Sequence, residues 1–217
     1  MKNYKIILNT NYPIAYDSED HLQPGGTKND NFSNKAFIEE VEKDLCKKNE
    51  PLYLIDLGCA GGLLVQDFVQ REHIAVGLEG SDYNVIHRRA EWPLLYGKNL
   101  FTCDITREYS LFIEKNGELN IFQSDLITAW EVVEHIEPSR LPIFFELIRR
   151  HLKIGGKFIA GISLCEGLPY HISMFPIPHW KNKILNNLPG LVLKEYPYLN
   201  IARPSFTSLY ITLERTT

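Results

Sequence analysis

The 217-residue chain contains no apolar run approaching the ~20 residues that a membrane-crossing helix needs. Its N-terminus carries no signal-peptide pattern. The four cysteines, Cys46, Cys59, Cys103 and Cys165, are far apart and form no C-x-x-C pair. Cys59 and Cys103 fall at the ends of expected strands, which suits small buried residues in a reducing compartment better than disulfides. Together these absences point to the cytoplasm and exclude a membrane partner. There is no excess of basic residues: the formal charge is −4, which leaves no electrostatic footprint for nucleic acid. Internal repeats and low-complexity segments are also missing, and so is the dinucleotide fingerprint G-x-G-x-x-G.

What is present suits one folded domain. The apolar fraction of 44% and this length allow a sizeable core. Residues 1–34, rich in polar, Gly and Pro residues from Asn9 on, read as a loop-rich arm or lid. Residues 35–217 read as a single domain, with a core at about 50–163 and an acceptor-side part at about 164–217. Ser33 or Asn34 can cap a helix running to about Lys48, with Phe37, Ile38, Val41 and Leu45 inward. Strand and helix patterns then alternate to about Ser163, which implies a parallel sheet with right-handed crossovers. Leu141 to Leu152 is the last core helix, followed by a helix near His179 to Asn187 and closing strands at Leu191–Ile201 and Phe206–Leu213.

The densest information lies in Leu54-Ile55-Asp56-Leu57-Gly58-Cys59-Ala60-Gly61-Gly62. An apolar run ends in an acid, and a glycine turn opens onto the helical pattern Leu63 to Val69. Glycine lets a ligand approach bare backbone, and a helix N-terminus offers free N–H groups. Asp56 two residues before the first glycine would repel a phosphate and attract an ammonium group. The segment resembles motif I, D-x-G-x-G-x-G, of the class I S-adenosylmethionine-dependent methyltransferases, with Ala60 in place of the middle glycine.

Further segments fit that resemblance, which covers roughly Ile55 to Gly161. Ile74 to Glu79 is a second apolar run ending in an acid, whose carboxylate reaches ribose hydroxyls in such a sheet. Leu100 to Ile105 ends a third strand, where the family pattern gives Asp104 to the adenine amino group and packs Ile105 on the ring. Asp125 to Trp130 supplies strand four, while Gly155 to Gly161 reads as helix C-cap and strand five. The implied fold is α/β: a doubly wound, mostly parallel seven-stranded, Rossmann-like sheet with an antiparallel closing strand. The cofactor is then S-adenosyl-L-methionine, held by Asp56, Gly58, Cys59, Ala60, Gly62, Glu79, Gly80, Asp104, Ile105 and Trp130.

Glu131-Val132-Val133-Glu134-His135 follows strand four at the sheet's carboxyl edge. If helical, its i, i+3 and i+4 side chains share a face. The E-x-x-E-H run looks like the metal motif of ubiquinone-pathway O-methyltransferases and of 2′-O-methyltransferases that modify small-RNA 3′ ends. The latter add a histidine after strand five, where this chain has His171. Glu131, Glu134, His135 and His171 are therefore candidate ligands for Mg²⁺ or Mn²⁺. His135 and His171 are equally candidate bases, because a hydroxyl is protonated at neutral pH and needs help to attack.

Polar and aromatic loops narrow the reading. Asp20-His21, Pro24 to Thr27, Asp30-Asn31, Glu79 to Tyr83, Arg89 to Trp92 and Ala129 to Glu131 look like a bacterial methyltransferase group associated with surface glycans and sugar-derived metabolites. His21 and Trp180 are the candidate substrate contacts. The expectation is an O-methyltransferase for a small hydroxylated metabolite: a sugar, phosphosugar or nucleotide-sugar. The alternatives are RNA 2′-O-methylation and a nucleoside-binding regulator on an inactive scaffold. A homodimer is left open.

Overall fold

The structure is a computed structural model that describes residues 4–47, 50–195 and 208–217. In chain order its elements are β1 (Tyr4–Thr10), α1 (Glu19–Leu22), α2 (Gly25–Asn29), α3 (Lys35–Leu45), β2 (Tyr53–Leu57), α4 (Leu63–Gln70) and β3 (Ile74–Glu79). There follow α5 (Tyr83–Ile86), α6 (Trp92–Leu95), β4 (Leu100–Thr102), β5 (Tyr109–Lys115), β6 (Glu118–Ile121) and β7 (Ser124–Trp130). A 3-10 turn at Val133–His135 leads to α7 (Leu141–His151), β8 (Leu152–Ser163), α8 (Ile177–Asn187), β9 (Leu191–Leu193) and β10 (Ser208–Arg215). No described helix is long and apolar enough to cross a membrane.

The main sheet has seven strands in the order β4-β3-β2-β7-β8-β10-β9. β10 runs antiparallel to both its neighbours, while β4, β3, β2, β7 and β8 are parallel. The expected α/β fold is the observed one. Central strands of such a sheet are covered on both faces and read as near-continuous apolar runs; Leu54, Ile55 and Leu57 of β2 are accordingly buried. The chain leaves β2 for β3 on one side and later pairs β7 on the other, so a crevice opens at the carboxyl ends of these strands.

Helices form where the periodicity predicts them. Asn34 caps α3 by accepting from the N–H groups of Ala36 and Phe37 at 3.0 and 3.3 Å, and Phe37, Ile38 and Val41 are buried. The helix α7 buries Leu141, Phe144, Phe145 and Ile148. The expected end of the first helix at Lys48 lies outside the described residues, as do residues 196–201 and 206–207 of the closing strands.

Three local differences have physical reasons. The third strand ends at Thr102 because Asp104 turns back on itself, accepting from the N–H and hydroxyl of Thr106 at 2.9 and 2.6 Å. Gly155 and Gly156 are not a helix cap: α7 stops at His151, and both glycines lie within β8. A Cβ on Gly156 would stand 2.9 Å from the Lys153 carbonyl and 3.1 Å from that of Ser124, where the β7–β8 register shifts. Finally, β1, β5 and β6 form a second, three-stranded antiparallel sheet. Its hairpin turns at Asn116-Gly117 with φ of 56° and 81°, the left-handed pair that Asn-Gly adopts readily.

Candidate active site

The glycine turn is held from all sides. Gly58 has φ of 69°, and a Cβ there would lie 2.4 Å from Val132 Cγ2. Ala60, at φ 43°, donates its N–H to Glu79 Oε2 at 2.8 Å. Its carbonyl accepts from Asn84 Nδ2 at 2.8 Å and from Trp92 Nε1 at 2.7 Å. Both donors are buried, and an open bond would leave a buried polar group unsatisfied. The local sequence marked the turn but not these two supports.

The arm is docked on that turn. The N–H of Gly61 donates to the Asp30 carbonyl at 3.2 Å, and the N–H of Leu63 donates to Asn31 Oδ1 at 3.0 Å. The expectation that the α4 N-terminus offers free N–H groups is therefore corrected at these two positions, because Gly62 supplies no side-chain cap and the arm supplies one instead. Further along the arm, Thr27 donates its hydroxyl to Glu79 Oε1 at 3.2 Å. Two short helices, α1 and α2, form in this segment, where the sequence showed only loop.

A cavity of about 510 Å³ opens between the arm and the sheet edge, within the ~300–1,000 Å³ usual for ligand sites. Gly58, Ala60, Glu79, Gly80, Asp104, Ile105 and Trp130 line it. The other three predicted cofactor residues do not. The Asp56 carboxylate is buried and accepts from Thr128 Oγ1 at 2.6 Å. The Cys59 thiol is buried beneath Gly77, and burial raises it well above the usual thiol range. Gly62 makes room for Leu100, whose Cδ1 would lie 2.6 Å from an added Cβ.

At the opposite side of the cavity stand His135 and His171. One ligand atom each from Glu134, His135 and His171 falls within 4.8 Å of the others. Glu134 Oε1 accepts from the Ser163 N–H at 2.8 Å, while Oε2 is buried without a partner among the described residues. Burial pushes this carboxyl up to about 7 against the pull of His135. His171 Nδ1 lies 2.7 Å from the Cys165 carbonyl; a carbonyl only accepts, so Nδ1 carries the proton and Nε2 keeps its lone pair. His135 Nδ1 is 2.5 Å from Asp20 Oδ2. Burial opposes charge on this imidazole, but Asp20, Glu134 and Glu131 outweigh it and raise its pKa.

Two expected residues are displaced. Glu131 lines the cavity but is not in the ligand group; its Oε1 accepts from Ser208 Oγ at 2.7 Å. The motif is a 3-10 turn, and Glu131 sits before it at φ 55°, so the α-helical spacing that would align Glu131 with Glu134 does not apply. Trp180 is fully buried against Phe175, with ring centroids 4.9 Å apart, and does not line the cavity. His21 does line the cavity, 3.9 Å from Asp82.

No family model matches the chain. A curated relative, the mitochondrial ubiquinone biosynthesis O-methyltransferase of Candida albicans, is 26% identical over 175 residues, which are 75% of this chain and 47% of that protein. The chain thus spans about half the length of the curated relative it matches. The crystal structure of an S-adenosylmethionine-dependent methyltransferase from Clostridium acetobutylicum superposes with a TM-score of 0.58 at 15% identity, covering 84% of this chain and 90% of that one. Magnesium protoporphyrin IX methyltransferase from Synechocystis, solved with bound SAH, gives 0.55 at 13% identity over 90% and 93%. With the strand order above, these likenesses give the chain the fold of the class I S-adenosylmethionine-dependent methyltransferases.

Proposed function

We propose that the protein is an S-adenosylmethionine-dependent O-methyltransferase acting on a hydroxyl of a small metabolite. One observation carries the reading: His135 and His171 line the same cavity as Glu79, Gly58 and Ala60. Gly58, Ala60, Gly80 and Trp130 form the end that holds the cofactor, with Glu79 toward the ribose hydroxyls and Asp104 toward the adenine. S-adenosylmethionine, when bound, supplies a methyl group activated by a sulfonium. Transfer needs the acceptor oxygen in line behind that methyl, so positioning is much of the catalysis. In a site without a cation, His171 Nε2, its lone pair kept by the Cys165 contact, would take the hydroxyl proton as the oxygen attacks. The orphaned Glu134 Oε2 and the two imidazoles also fit a divalent cation. Mg²⁺ or Mn²⁺ bound there would lower the hydroxyl pKa. The name of the Candida albicans relative supports oxygen as the acceptor atom.

The lining carries eight carboxylates and one guanidinium, that of Arg140. Such a balance repels phosphate, and it favours an uncharged sugar over a phosphosugar or nucleotide-sugar. The same field disfavours an RNA substrate. An inactive scaffold is disfavoured by Glu79 and the glycine turn still facing the cavity. We place the reaction in the cytoplasm, in surface-glycan synthesis. Transfer of labelled methyl to a panel of neutral sugars, phosphosugars and RNA tests this. Label in neutral sugars is expected; label only in phosphorylated acceptors would overturn the acceptor class, and a protein that does not bind S-adenosylmethionine would overturn the whole reading.

A further inference from the structure

We infer that Asp20, carried by the arm, is a positioning residue for His135: it holds the ring in the Nδ1–H tautomer and so presents the Nε2 lone pair on the Glu134 side. The inference rests on reading His135 as part of the reactive site, and it adds a residue from a distant segment. Asp20 Oδ2 lies 2.5 Å from His135 Nδ1. Ionised carboxylate oxygens only accept, and two lone pairs at that distance repel, so the contact favours the proton on Nδ1 even though the carboxylate lies off the line of a well-aligned ring N–H bond. The other ring nitrogen, Nε2, is then unprotonated in the neutral ring, 3.9 Å from Glu134 Oε1. The ring has little freedom to turn over. Tyr170 stacks on it at 5.4 Å and 15°, and His171 meets it edge-on at 5.0 Å.

Asp20 is itself placed by contacts on both sides. Ser18 caps α1, its Oγ accepting from the Asp20 N–H at 3.2 Å. Just before it, Asp17 pairs with Arg140 and lies 3.6 Å from Arg107. Beyond it, the Thr27 carbonyl accepts from Arg89 Nη1 at 3.0 Å and from Asn84 Nδ2 at 3.3 Å. A carboxylate behind an imidazole fixes tautomer and orientation whether the free nitrogen meets a proton or a metal. The arm therefore completes the site, beyond covering it.

The test is ¹⁵N NMR of the histidine rings under conditions where His135 is neutral, in the native protein and in Asp20→Ala and Asp20→Asn. The native protein should show a protonated Nδ1 and an unprotonated Nε2 at His135. Both variants should lose that preference, and kcat should fall about 10–100-fold, the usual cost of removing such a partner. The KM for S-adenosylmethionine should stay within about twofold of native, and Asp20→Glu should recover part of kcat. A merely structural arm residue would instead raise that KM by loosening Thr27 from Glu79. A proton on Nε2 in the native protein, or an unchanged tautomer in both variants, would overturn the inference. Because the spectra are read without turnover, they decide it even if the methyl-transfer reading fails.

Discussion

Thr27 donates its hydroxyl to Glu79 across 3.2 Å, so a residue of the arm and the carboxylate facing the cofactor end share one hydrogen bond. Glu79 accepts two more, from the Ala60 and Ser81 N–H groups at 2.8 and 3.2 Å. A ribose hydroxyl must replace or join this set. Glu79→Ala should therefore weaken S-adenosylmethionine binding by about 1.5–3 kcal/mol, the range for bonds to a charged group. Calorimetry checks it, and unchanged affinity would remove Glu79 from the cofactor site.

The same carboxyl makes binding sensitive to pH. Burial pushes Glu79 up to about 7, against the pull of its hydrogen bonds. A raised pKa means that the folded ligand-free protein holds more protons than the unfolded chain between the ordinary carboxylate range and about 7. Its stability contribution is thus present at low pH and is lost as pH rises through that window. Ribose hydroxyls favour the charged form, so binding below about pH 7 expels a proton. Affinity should fall by up to about tenfold per pH unit on acidification. Calorimetry in two buffers of different ionisation enthalpy should report proton release, and an identical heat in both would refute it.

Asn31→Ala should cost about 1 kcal/mol in denaturant unfolding, because it removes a side-chain acceptor that caps the α4 N-terminus in place of Gly62. Excising Asn11 to Asn31 should lower affinity for S-adenosylmethionine as well as turnover. The arm's bonds to Gly61, Leu63 and Glu79 tie it to the cofactor end. An excised protein that binds S-adenosylmethionine as tightly as the full chain contradicts this.

Chelator should abolish activity, and Mn²⁺ or Mg²⁺ should restore it. The ligand group makes a sharper statement: His171→Ala should weaken Mn²⁺ binding at least tenfold, whereas Glu131→Gln should change it less than about threefold. Electron paramagnetic resonance titration with Mn²⁺ alone measures both. Equal losses in the two variants would restore Glu131 to the ligands, and full activity in chelator would leave the imidazoles as bases only.

Acid should destabilise the protein through His151. This ring is fully buried, stacks on Tyr109 at 5.6 Å and 1°, and gives Nδ1–H to the Phe122 carbonyl at 2.8 Å. Its Nε2 has no partner among the described residues. Burial lowers its pKa, so the unfolded chain binds the extra proton first and stability drops as pH falls below about 6.5. His151→Gln should flatten that part of the curve; an unaltered pH slope would rule the residue out as its source.

The central sheet was legible because strands buried on both faces read as apolar runs, and Asp56, Glu79 and Asp104 mark three of their ends. The hairpin of β5 and β6 was also signalled, by Asn116-Gly117 and the alternation Tyr109, Leu111, Ile113. The second strand of that hairpin is weakly marked, because Glu118–Ile121 is exposed throughout and has no apolar face to read. Glu131 was misplaced because spacing rules assume an α-helix, and one left-handed residue cancels them. Asp20 carries no local signal for its role, since its contact with His135 spans about half the chain. Ala60 kept the middle-glycine place despite φ of 43°, at a cost the bonds to Asn84, Trp92 and Glu79 offset.

Both ends of the arm are fastened. β1 is zipped to β5 through Thr10, which faces Tyr109, and α3 begins one residue after Asn34 with its inner face in the core. The segment between them is thus a closed loop rather than a tail. It cannot swing clear about one hinge; it can only bow outward, with its entropy limited by two anchors. A single backbone cut at the exposed Gly25-Gly26 step would release that constraint and leave two independent flaps, one bearing Asp20 and the other Thr27, each docking separately on the cavity that the intact loop now spans.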